Sequence, residues 1–200
     1  MTDFNYDKIA PGFDRDAVLN RMKSQMSDFR FSHCVRVEKE ARGLAAENGI
    51  NVDKAGLAGL LHDYAKERPD SEFTEIIKAK NLDPELLNYG NAIWHGIVGA
   101  EIIKDELNVY DEDVLNAVRR HTVGATTMTG VDKCTFIADF IEPARDFPGI
   151  DEARTYAEKS LDAGVAFELK HSIAHLIDKN RPIYPDTFIS YNYWINKGEL

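Results

Sequence analysis

The sequence predicts a single all-α domain, a helical bundle around a buried centre. Three observations lead there. Apolar residues recur at three- and four-residue intervals, and no stretch sustains the two-residue alternation of a half-buried strand. The breaks at Asp83-Pro84, Gly124, Pro143 and Pro148-Gly149 fall between the periodic segments rather than inside them. No internal repeat, low-complexity tract or linker divides the 200 residues, which fit one domain with its core over about 20–195.

Taken in order, Phe29, His33, Val37, Ala41 and Leu44 form the stripe of one helix, and Gly49 stops it. Leu57, Leu60, Leu61 and Tyr64 mark the next, interleaved with Ala55, Gly56, Ala58 and Gly59. Small residues at that density let neighbouring helices approach closely, so this element is expected at the centre, ending at Pro69. Further helices are expected near 71–80, 92–107, 111–121, 131–142, 151–163 and 164–179. The segment RPIYPDTF (181–188) reads as a proline-stiffened loop, followed by Tyr191, Asn192, Tyr193 and Trp194 sealing the bundle. The first dozen residues and the last few are expected to be loosely held.

Hydrophobic residues make up 44% and charged residues 29%, the profile of an ordinary soluble globular protein. No apolar run is long enough to span a bilayer. The start, MTDFNYDKIA, has neither the basic nor the apolar region of a signal peptide. Cys34 and Cys134 lack paired spacing and read as reduced thiols, so a cytoplasmic setting is expected. A net charge of −10 argues against a broad nucleic-acid footprint, which needs a basic face. It still allows a small phosphorylated ligand, because a metal and a few cations can reverse the field inside a cleft. Short apolar-aromatic surfaces permit a homodimer without demanding one.

Six residues carry the chemistry: His33, His62, Asp63, His95, His121 and Asp139. His33, His62 and His121 each fall on the apolar face of their own helix and so point inward. A lone inward histidine is more often a hydrogen-bonded core residue than a ligand. Several of them, beside two carboxylates that are costly to bury, are explained together by one metal. Imidazole with carboxylate suits iron, manganese or zinc rather than a magnesium-only oxygen site. Four protein ligands on a six-coordinate ion leave two positions open, which is the design of a hydrolase that activates water. His62 and Asp63, about 100° apart on a helix, can converge on an ion lying between them. Lys66, four residues after His62, then lies beside the site and within reach of phosphate. His171 and His175 have the spacing of a helical metal pair, but with Ser172 between them and Val165, Leu169, Ile173 and Leu176 as the buried stripe they are expected in solvent.

The order His…His-Asp…His…His…Asp resembles the HD-domain metal-dependent phosphohydrolases. The segments HDYAK (62–66), HGIVGA (95–100), RHTVG (120–124) and IADFIEPARDFPG (137–149) are similar to the YqeK-type branch, the symmetrical bis(5′-nucleosyl)-tetraphosphatases. The resemblance spans roughly residues 20–195. It implies a hydrolase with an iron-type centre that cuts diadenosine tetraphosphate into two ADP. His33, His62, Asp63 and Asp139 would form the primary metal shell. His95 and His121 would either complete a second metal site, with Asp63 bridging, or contact phosphate. Catalysis would fall to Asp63, Lys66, His95 and His121. Arg30, Lys66, Thr122 and Arg145 are placed to hold the polyphosphate. Pro182, Ile183, Tyr184, Pro185, Asp186 and Thr187 either wall a nucleoside, as the resemblance implies, or pack Tyr184 and Phe188 on the core. The rival readings are an HD phosphohydrolase acting on another nucleotide or phosphate ester, and a nucleotide-binding sensor with a structural metal.

Overall fold

A computed structural model describes residues 6–197, and among them the only regular secondary structure is helical. The helices are α1 (Arg15–Lys23), α2 (Asp28–Glu47), α3 (Val52–Leu61), α4 (Asp70–Ala79), α5 (Asn91–Leu107), α6 (Glu112–Arg120), α7 (Gly130–Ile141), α8 (Ile150–Lys159), α9 (Leu161–Asp178) and α10 (Pro185–Asn196), with a short 3-10 helix at Pro84–Asn88. No described helix is long and apolar enough to cross a membrane.

The small-residue helix is the central one. Every residue of α3 from Ala55 to Leu61 is buried, and α2, α6 and α7 pack around it. Leu57, Leu60 and Leu61 enter one core cluster, while Ala55 joins a second formed mainly from α2, α7, α8 and α9. The approach of α2 depends on Gly59, where a Cβ would stand 3.0 Å from Ala41 Cβ and 3.1 Å from the Val37 carbonyl oxygen. Gly96 does the same between α5 and α6, with a would-be Cβ 3.0 Å from Val118 O. Side-chain caps set where the site-bearing helices begin. Ser27 accepts from the Arg30 amide at the start of α2, and Thr129 and Asp132 form a reciprocal capping box on α7. Asp132 is fully buried, and the Arg120 guanidinium donates to it, tying the end of α6 to the start of α7.

Several expectations are corrected. The helix of Leu57 stops at Leu61 instead of running to Pro69. Beyond it, Tyr64 N donates to Leu61 O, Lys66 N to Asp63 O and Arg68 N to Ala65 O, tight three-residue turns in place of α-helical ones. Phe29 is 75% exposed, because the buried face of α2 begins at His33 and the first turn overhangs the bundle. The segment at 181–188 is a loop only as far as Tyr184. Pro185 occupies the first turn of α10, where its missing N–H has no intrahelical partner to lose. From the aromatic group that follows, Trp194 is buried and donates from Nε1 to Ala125 O at 2.8 Å, whereas Asn192 and Tyr193 face solvent. The expected looseness at the start also fails for residues 6–12. Tyr6 and Ala10 are buried, and the Tyr6 hydroxyl donates to Glu38 Oε1 at 2.6 Å. Residues 1–5 and 198–200, to which the same expectation applied, lie outside the described residues. His175 is exposed, but His171 is half-buried, its ring 5.3 Å from that of Phe140 and 5.1 Å from that of Phe147, because the end of α7 and the turn after it close over this part of α9.

Replacing Gly59 with alanine pushes a methyl group against the α2 backbone, which cannot rotate away as a side chain would. The variant is expected to lose about 1–3 kcal/mol of stability. Urea unfolding with an unchanged midpoint would contradict the close approach.

Candidate metal centre

Five segments deliver the side chains. His33 lies on the second turn of α2, His62 caps the C-terminal end of α3 with Asp63 next to it, His95 lies on α5, His121 caps α6, and Asp139 lies on the last turn of α7. The tight turns after Leu61 swing His62, Asp63 and Lys66 towards one point. The four imidazoles and Asp63 are almost fully buried, and Asp139 is half-buried.

The hydrogen bonds on the far side of each ring decide what faces inward. His62 Nδ1–H donates to Gly59 O at 2.8 Å, His95 Nδ1–H to Asn91 O at 2.6 Å and His121 Nδ1–H to Val118 O at 2.7 Å. His33 Nδ1–H donates to Glu142 Oε1 at 3.1 Å. Each acceptor assigns the proton to Nδ1 and leaves the Nε2 lone pair free. Those lone pairs face one another. His33 Nε2 is 3.2 Å from His62 Nε2, and His95 Nε2 is 2.9 Å from His121 Nε2. Asp139 Oδ1 lies 3.0 Å from His33 Nε2, Asp63 Oδ2 lies 3.4 Å from His62 Nε2, and Asp63 Oδ1 lies 3.2 Å from His95 Nε2.

Acceptors packed so closely repel unless a cation lies among them, and mixed imidazole and carboxylate donors suit a divalent transition ion. Two groups are compact enough to hold one: His33, His62 and Asp139, and His62, Asp63 and His121. The titration behaviour points the same way. Burial works against charge on His62, while Asp63 and Asp139 favour it, and its pKa is raised. Burial pushes His95 down to about 4, helped by Lys66 and His121, and lowers His121 as well. Burial would raise Asp63 and Asp139, but the surrounding imidazoles, with Arg145 at Asp139, hold both carboxyls well below the usual range.

Cations ring this cluster. The Arg30 guanidinium donates to Asp63 Oδ2. Arg145 donates to Asp139 Oδ1 and, from Nε, to Asp139 O at 2.8 Å. Lys66 Nζ donates to His95 Nε2 at 3.1 Å, and its pKa is lowered by burial. Thr122 follows His121, and its buried Oγ1 has no hydrogen-bond partner. The stretch from Pro182 to Thr187 runs into the start of α10. Tyr184 is buried with its ring 4.9 Å from that of Tyr89, Thr187 is buried, and Phe188 is 53% exposed. An open groove lined by Leu86, Ile97, Arg120, Val123, Tyr184 and Asp186 links that stretch to the segment carrying His121. Sequence reasoning missed Glu142, the buried carboxylate that accepts from His33. Glu142 sits at the C-cap of α7, 109 residues from His33, and no local signal marks it as a partner.

The HD domain family model matches residues 30–177. Over 185 residues the chain is 40% identical to "Bis(5'-nucleosyl)-tetraphosphatase, symmetrical" of Bacillus subtilis, covering 92% of this chain and 99% of that protein. A protein of the same description from Halalkalibacterium halodurans is 38% identical, over 90% of this chain and 96% of its own length. Among solved structures, a protein from Clostridium acetobutylicum described as a "predicted HD superfamily hydrolase involved in NAD metabolism" superposes with a TM-score of 0.87 at 32% identity, covering 92% of this chain and 98% of that one.

A centre of this kind ties ion binding to folding. Manganese added to metal-stripped protein at about 100 times its Kd stabilises the native state by about 2.7 kcal/mol. For a chain of this length that is a rise in Tm of roughly 5–10 °C. The rise is expected to vanish in Asp139→Ala, and a wild-type melting curve indifferent to the ion would contradict the assignment.

Proposed function

Because this chain belongs to the HD domain family, and within it to the symmetrical bis(5′-nucleosyl)-tetraphosphatases, we propose that its buried cluster hydrolyses diadenosine tetraphosphate to two ADP. The observation that carries the reading is the inward convergence of four Nε2 lone pairs on two carboxylates. The ion would be iron, held by His33, His62, Asp63 and Asp139; manganese and zinc suit the same donors. When bound, such an ion acidifies water and polarises phosphoryl oxygen.

The remaining residues handle the substrate. Arg30, Lys66 and Arg145 already lie against the ligand carboxylates and His95. Each offers N–H donors to a tetraphosphate bridge, and charge-assisted bonds of this kind contribute about 1.5–3 kcal/mol apiece. They also neutralise charge that grows on the departing ADP. His95 and His121 carry their protons on Nδ1 and present Nε2 as an acceptor, which suits them to receive a hydrogen bond from attacking water. Lys66 occupies the His95 side of the cluster, so that half favours phosphate over a second cation. Thr122 adds a hydroxyl for phosphate. The groove past Val123 to Tyr184 and Asp186 offers the nucleoside an apolar floor with a polar edge, the region formed by residues 182–187.

Symmetric cleavage requires the second phosphorus from the seated nucleoside to reach the cluster. Anaerobic turnover of diadenosine tetraphosphate by ferrous-loaded protein, with chromatographic separation, is expected to give ADP alone. His62→Ala is expected to fall to background. AMP with ATP would show attack one bond further along and overturn the symmetric assignment.

A further inference from the structure

Three of the four histidines are backed by a backbone carbonyl of their own segment, from Gly59, Asn91 and Val118. His33 alone is backed by a carboxylate, Glu142 Oε1 at 3.1 Å. Glu142 is 2% exposed, and a buried charge survives only with partners. Besides His33 it has two, which make three hydrogen bonds. Arg36 Nε donates to Oε2 at 2.7 Å, Arg36 Nη2 to Oε1 at 3.1 Å, and the Ala144 amide to Oε2 at 2.7 Å. Arg36 lies one turn beyond His33 on α2, so the two clasp the carboxylate from a single helix face. The Ala144 bond closes the turn after α7, and that turn carries Arg145 back onto Asp139.

We propose that Glu142 is a positioning residue of the metal centre, fixing the His33 tautomer and, through its charge, making His33 Nε2 the strongest imidazole donor of the four. The inference rests on the metal-centre reading above and deepens it. A carboxylate behind a ligating imidazole orients the ring and raises its basicity, and loss of such a partner costs about 10–100-fold in metal affinity.

Arg36 separates this role from a purely structural one. Removing Arg36 disturbs the same hydrogen-bonded group as removing the Glu142 charge, but it leaves the carboxylate more available to His33. The two substitutions therefore act oppositely on metal binding if charge behind His33 matters. They act alike if Glu142 only holds the turn.

The experiment measures manganese affinity by chelator competition for the full chain, as wild type, Glu142→Gln and Arg36→Met. Thermal melting of the metal-free proteins reports on folding. Glu142→Gln is expected to bind about 10–100-fold more weakly while still melting cooperatively. Arg36→Met is expected to bind as tightly as wild type or more tightly. Equal affinity of Glu142→Gln and wild type overturns the proposal, as does a parallel loss in both variants. If Glu142→Gln does not fold, Arg36→Met decides alone, and weakened binding there is the contrary result. Wild-type protein that binds neither manganese nor iron overturns the metal reading and this proposal with it. Tight wild-type binding that is insensitive to Glu142→Gln removes only the proposal.

Discussion

Electron-rich groups face one another across a closed interior: four imidazole lone pairs and two carboxylates, with Nε2 atoms as close as 2.9 Å. Taken alone this is repulsive, and burial strengthens the repulsion by excluding the water that would screen it. The arrangement persists because positive charge is supplied from outside and from within. Arg30, Lys66 and Arg145 supply it from the rim, and a divalent cation would supply it at the centre. The cluster is therefore built for a guest of positive charge. The cations on its rim are in turn available to a guest of negative charge.

The scaffold serves this constraint through close approaches and early stops. Gly59 and Gly96 let α2 reach α3 and α5 reach α6, which brings His33 to His62 and His95 to His121. α3 and α6 each end at a histidine, where the last turn still provides a carbonyl three residues back to hold Nδ1–H. A longer α3 would carry Asp63 about 100° around the helix from His62. Both nonetheless border the same centre, with Asp63 Oδ2 3.4 Å from His62 Nε2.

Much of this was legible in the sequence, for identifiable reasons. Inward histidines show themselves because each sits on an apolar stripe whose period is that of its helix, and the six ligand-type residues foreseen as one group do meet. The central helix shows itself in its density of glycine and alanine. What stayed hidden depends on contacts between distant parts of the chain. Glu142 lies 109 residues from His33, and nothing local marks it as a partner. α10 was obscured because Pro185 reads as a loop residue until the helix it starts is seen. Phe29 fits its stripe perfectly well, but the bundle has no neighbour there to cover it. Tyr6 belongs to the core through the ring of hydrogen bonds around Glu38, which periodicity does not report.

The central claim is that Nδ1–H bonds to fixed acceptors turn the Nε2 atoms inward to hold a divalent ion. Anomalous diffraction from crystals of iron-loaded protein tests it most directly. The account predicts a peak bound by His33 and His62 through Nε2, with Asp63 and Asp139 completing the protein ligands. A peak ligated through Nδ1, or density for iron only elsewhere on the molecule, would contradict it.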